Sequence, residues 1–112
     1  MSEVQAGRVA LERICADLGL PQGDAYTQDW AYELGEEYRT ESYLYKYLAA
    51  YGNPGYGTSE RQLLVQLILD VVNDLLQKDE SMGRRVWTRT VEVIRGNFSM
   101  HREQIEYWAV IG

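Results

Sequence analysis

LLVQLILDVVNDLL, residues 63–76, is the stretch whose reading decides the fold. Ten of its fourteen residues are Leu, Ile or Val. The exceptions, Gln66, Asp70, Asn73 and Asp74, fall with Gln62 and Gln77 on a strip about 120° wide on a helical wheel. A helix apolar over the rest of its circumference needs neighbours on several sides. The stretch therefore predicts the central helix of a bundle, running from Glu60 to Lys78. Ser59 and Gln62 have capping-box spacing at its start. The polar interruptions rule out a bilayer span.

Upstream, Gly52-Asn53-Pro54-Gly55-Tyr56-Gly57 is a helix stop and a turn-rich loop. Before it, Thr40 opens a predicted helix from Glu41 to Tyr51, with Tyr43, Leu44, Tyr47, Leu48 and Tyr51 on one face and Glu41 and Tyr45 on the other. Residues 21–40 are less regular. Thr27 or Asp24 can cap a short helix through Leu34, which Gly35 weakens at its end. The first helix starts at a Ser2 cap, carries Val4, Gly7, Leu11, Ile14, Cys15 and Leu18 on one stripe, and ends at Gly19, Leu20 and Pro21. Downstream, residues 78–83 read as a polar connection. Val86, Trp87, Thr90, Val91, Val93 and Ile94 then form a wide apolar face opposite Arg85, Arg89, Glu92 and Arg95. Gly96-Asn97 stops this helix, and Ser99 caps a last one carrying Ile105, Trp108 and Ala109, whose final residues are equally compatible with an extended end. The expectation is one all-α domain over residues 1–112, a bundle of about five helices around the central apolar one.

At 112 residues and 46% apolar composition, the chain can bury a core without disulfides or metals. Its single cysteine, Cys15, allows no internal disulfide, lies on the apolar stripe and reads as a small buried hydrophobe. The acidic N-terminus lacks a secretory pattern, so the cytoplasm is the expected compartment. Seventeen acids against eleven bases give a net charge of −6, which argues against nucleic acid and anionic membranes as partners.

Few residues suggest catalysis, and the expectation is a non-enzyme without cofactor or metal. The one histidine, His101, sits in the first turn of the last predicted helix, where capping or a solvated position is the reading set against a chemical role. HExxH, Walker-type and GxGxxG motifs do not occur. Paired carboxylates remain: Glu33, Glu36 and Glu37 have helical spacing, and Asp70 and Asp74 lie one turn apart. Opposed acidic pairs can hold Mg²⁺ for nucleotide pyrophosphate hydrolysis. In that outline the chain is similar to all-helical MazG-type pyrophosphohydrolases, but Gly35 interrupts Glu33-Leu34-Gly35-Glu36 and position 73 is Asn. The competing reading is a solvated strip, or Asp70 and Asp74 paired with Arg85 or Arg89.

Acids and aromatics accumulate in one third of the chain. Eight of the nine tyrosines, with Trp30, lie between Tyr26 and Tyr56, and seven acids but one base, Arg39, lie between Asp17 and Glu41. Tyr43, Tyr47 and Tyr51 belong to the apolar stripe, which leaves Tyr26, Trp30, Tyr32, Tyr38, Tyr45 and Tyr56 uncommitted. Tyr and Trp bring large contact area with few rotatable bonds, and surrounding carboxylates steer a basic partner. Asp24, Asp29, Glu33, Glu36, Glu37 and Glu41 are thus the expected partner-facing acids, with Tyr38 and Tyr45 as contact aromatics. A homodimer, or a structural helical protein, is the alternative use of such a surface.

The run Gln28-Asp29-Trp30-Ala31-Tyr32-Glu33, the helix with Asn73-Asp74-Leu75-Leu76 and the ending HREQIEYWA (residues 101–109) resemble small bacterial all-helical proteins encoded beside polymorphic or contact-dependent toxins. The resemblance implies an immunity-type inhibitor that binds one cognate toxin domain, and it carries no catalytic residue with it.

Overall fold

The helix expected at the centre is there, and the other helices are arranged by what it leaves uncovered. The computed structural model describes residues 3–21 and 34–97; all described secondary structure is helical. Four α-helices run in chain order: α1 (Glu3–Leu18), α2 (Glu41–Tyr51), α3 (Thr58–Lys78) and α4 (Glu80–Ile94). Short 3-10 turns occupy Glu36–Tyr38 and Arg95–Asn97. The short helix expected before Leu34 and the last helix after Ser99 lie outside the described residues, as do Ser2 and His101.

α3 packs against α1, α2 and α4, and α2 also touches α4. Leu64, Val65, Leu67, Ile68, Leu69, Val71, Val72 and Leu75 of α3 are all buried, which covers most of its circumference. α1 contributes Ala10, Leu11, Ile14 and Cys15 to the core, and α2 contributes Leu44, Tyr47, Leu48 and Tyr51. Buried α4 positions form a narrower stripe than expected: Gly83, Val86, Thr90 and Ile94, with Trp87 and Val93 partly buried beside it. The buried Thr90 hydroxyl donates to the Val86 carbonyl at 2.8 Å, so no polar group is stranded there.

The helix ends show why the chain breaks where it does. At the end of α1, Gly19 takes φ +68° and the Leu20 N–H reaches back to the Cys15 carbonyl at 2.9 Å, while the Leu20 side chain is buried. This is a Schellman stop, and it matches the expectation. Thr40 caps α2 as expected, its hydroxyl accepting from the Tyr43 N–H at 3.2 Å. α3 starts two residues before the predicted Glu60. The Glu60 carboxylate accepts the Gly57 N–H at 3.2 Å, whereas Ser59 lies inside the first turn.

The connection expected over residues 78–83 does not exist as such. α3 ends at Lys78, α4 begins at Glu80, and Asp79 alone joins them in an extended conformation. Its N–H donates to the Leu75 carbonyl at 2.8 Å and its carboxylate accepts the Met82 N–H at 3.1 Å, so one residue caps both helices. Polar composition signalled a loop; the polarity belongs instead to a first helical turn. Gly83 then lies so close to α3 that a Cβ would fall 2.5 Å from the Leu76 Cα.

The Gly52–Gly57 loop is held by side chains of its neighbours. Arg13 of α1 donates to the Gly55 carbonyl at 2.9 Å, and Arg61 of α3 donates to the carbonyls of Tyr56 and Asn53. Tyr56, uncommitted in the sequence, is buried, with its hydroxyl on the Asp17 carboxylate.

Candidate functional site

Of the predicted acidic, tyrosine-rich segment, the described residues hold α2 and the turn that precedes it, and their ring contacts lie on the core-facing side of α2. Tyr38 and Tyr43 meet edge to face, ring centroids 5.4 Å apart at 77°. Tyr43 leans on Tyr47 at 5.9 Å, and the Lys46 ammonium stands 4.4 Å over the Tyr43 ring. Tyr47 is fully buried and donates its hydroxyl to the Tyr38 carbonyl at 2.6 Å, tying the turn to the core. Burial, then the neighbouring Tyr43, pushes the Tyr47 phenol well up, so it stays a donor. Tyr45, 40% exposed, is one of two large hydrophobics exposed among the described residues; the other, Val9, lies on α1.

The sequence-predicted acids divide. Glu37 is exposed. Glu36, 75% exposed at its side chain, pairs with Lys78 of α3. Glu41 accepts from Arg85 of α4 at 2.9 Å and 3.1 Å, which holds the Arg85 guanidinium above its ordinary range. Asp24, Asp29 and Glu33 lie outside the described residues. Of the contact aromatics, Tyr45 faces solvent, whereas Tyr38 is half-buried and packs partly on the core.

Asp70 and Asp74 are neither solvated nor paired with α4. Their partner is Arg39, whose side chain is 7% exposed. Its Nη1 lies 3.1 Å from Asp70 Oδ2, its Nη2 donates to the Asp70 carbonyl at 3.4 Å, and its Nε lies 3.5 Å from Asp74 Oδ2. Lys78 closes the series, 3.0 Å from the same Asp74 oxygen. That oxygen is held by these ionic contacts rather than by a well-angled hydrogen bond. Glu36, then Asp74, raise the affinity of Lys78 for its proton. Arg85 and Arg89 go elsewhere, to Glu41 and to Glu92 of their own helix, because the acidic strip of α3 faces the 34–40 segment.

This arrangement redirects the metal reading. Two cationic side chains already neutralise the carboxylates that a Mg²⁺ site would need free. Among the described residues, no group of three or more His, Cys, Asp or Glu is disposed to hold an ion. Cys15 is buried and its thiol is pushed up to about 11 by desolvation, the behaviour of a packing residue.

Sequence reasoning missed Arg39. Its signal was present: it is the lone base among seven acids, and an apolar helix carrying two carboxylates one turn apart calls for a cation. No helix of the described residues is long and apolar enough to cross a membrane. Searches against protein-family models, curated proteins and solved structures found no match to this chain.

Proposed function

We propose that the chain is a non-enzymatic binding protein, an immunity-type inhibitor that occludes a basic protein partner through the outer face of α2 and its preceding turn. The observation that carries this reading is Tyr45, an aromatic ring 40% exposed on the outer face of α2, on the side that carries the Glu41–Arg85 pair. An amphipathic ring flanked by charge is what interface anchors are made of. The sequence adds acidity next to it, since residues 22–33 carry Asp24, Asp29 and Glu33, no base, and Tyr26, Trp30 and Tyr32. Such a surface suits a partner whose own site is positively charged, as a nuclease-like toxin domain would be.

Glu36 and Glu37 are both exposed on the described part of this face, and Glu36 and Glu41 already have cations within the fold. The roles therefore differ: Glu37 meets the partner directly, and Glu36 and Glu41 exchange an internal partner for an external one. The test is capture from the native host by tagged protein, compared with a Tyr45→Ala, Glu37→Lys double variant of equal stability. A basic protein retained by the wild type and released by the variant, or by raised salt, supports the reading. Equal retention by both, or an acidic partner, would overturn it. Sedimentation of the unliganded protein separates the alternative: a tight dimer dispersed by Tyr45→Ala assigns the face to self-association.

A further inference from the structure

Residues 34–40 run outside the four helices, yet they are fixed to them at several points. Leu34 is buried, the Tyr38 carbonyl receives the Tyr47 hydroxyl, Glu36 reaches Lys78, and Arg39 grips Asp70 and Asp74. Within the segment, Tyr38 N–H bonds to the Gly35 carbonyl and Arg39 N–H to the Glu36 carbonyl, each at 3.0 Å. Apart from Leu34 and part of Tyr38, the attachment is polar. Polar attachments are directional but modest in net free energy, and segments with few apolar contacts open locally before the whole molecule does.

We propose that residues 34–40 form a strap that opens as a unit from an otherwise intact bundle, with Arg39 as its latch. One guanidinium spans a full turn of α3, joining a carboxylate, the backbone carbonyl of the same residue and a second carboxylate four residues on. Closed, the strap covers Asp70 and Asp74 and presents Tyr38 to Tyr43. Open, it uncovers both carboxylates and dissolves the Tyr38–Tyr43 edge contact. The Glu36–Lys78 pair is exposed and screened by water, so release of Arg39 is the step that frees the segment. The strap stands whether or not the α2 face binds a partner.

The latch makes its own opening measurable. Trypsin needs an arginine side chain in its specificity pocket, and Arg39 is buried, so cleavage of the Arg39–Thr40 bond reports the open strap. Initial cleavage rates of the full chain are followed by mass spectrometry over urea concentrations below the unfolding midpoint. The reference is cleavage after Arg61, inside α3. Cleavage at Arg39–Thr40 is expected to depend weakly on urea, and cleavage after Arg61 steeply. Asp70→Asn should accelerate the first by about ten-fold or more beyond any acceleration of the second, since a charge-assisted bond is lost from the latch alone. Equal urea dependence at the two bonds, or equal acceleration by Asp70→Asn, would show that the segment leaves only when the bundle unfolds and would overturn the proposal.

Discussion

Replacing Gly83 by alanine exchanges a Cα hydrogen for a methyl group at the tightest helix contact described above. The new Cβ would lie 2.5 Å from the Leu76 Cα and 2.6 Å from its Cγ and Cδ2. Carbon atoms sit comfortably about 3.5–4.0 Å apart. The Leu76 side chain can rotate away from two of these contacts, but its Cα cannot, so α4 must retreat by about 1 Å. Overpacking of this kind costs about 1–3 kcal/mol. Alanine recovers up to roughly 1 kcal/mol as the better helix former, and less near a first turn. The expected net loss is about 1–2 kcal/mol, a fall in Tm of roughly 4–10 °C for a domain near this size. Urea unfolding followed by far-ultraviolet circular dichroism gives the value, with Gly96→Ala as control. A Cβ at Gly96 meets nothing within 4 Å, so that variant should stay within about 0.5 kcal/mol of the parent. A Gly83→Ala protein as stable as the parent would refute the close approach of α3 and α4, and with it the account of their one-residue joint.

Further expectations follow from single contacts. Asp79→Ala removes the acceptor for the Met82 N–H and should lower stability by about 1 kcal/mol in the same assay, whereas Asp79→Asn should nearly preserve it. Alkaline stability should decline in a defined window. Burial, then the hydrogen bond to Asp17, raises the Tyr56 phenol to about 12, and burial raises the Cys15 thiol to about 11. Both groups hold their protons more firmly folded than unfolded, so their contribution is complete below their ordinary values. It is lost as pH rises from about 9 to 11 for Cys15 and from about 10 to 12 for Tyr56. Tyr56→Phe should flatten the upper part of that decline in urea midpoints measured against pH. Cys15 in the native protein should react with a disulfide reagent far more slowly than in the urea-unfolded chain; equal rates would contradict its burial.

What the sequence made legible was periodic or local. The apolar span of α3, the Thr40 cap, the Gly19 stop and the shared face of Leu44, Tyr47, Leu48 and Tyr51 each depend on residues within a few positions of one another. What it concealed was tertiary. Arg39 meets Asp70 across 31 residues, and no helical spacing relates them. Glu41 has one polar neighbour list in sequence and another in space, where Arg85 stands beside it across 44 residues. Tyr56 stayed uncommitted because it lies in a turn-rich loop among glycines, but its ring fills core volume and only its hydroxyl needs a polar partner. The Asp79 joint was misread for a different reason. Composition marks a chain break without telling whether one residue or six will make it, and a capping aspartate makes one sufficient.

That joint bears on how the chain finds its shape. α3 and α4 share the most extensive helix contact in the described fold, yet they are adjacent in sequence and separated by one residue. Almost no loop entropy opposes their meeting, so the hairpin can assemble before distant partners arrive. α1, by contrast, docks on α3 across more than forty residues of chain, reaching Gly55 and Glu60 from Arg13. Mutations at Gly83 or Asp79 should therefore slow folding, and mutations at Arg13 should chiefly hasten unfolding. On these grounds the α3–α4 hairpin is the template, and α1 is the late arrival.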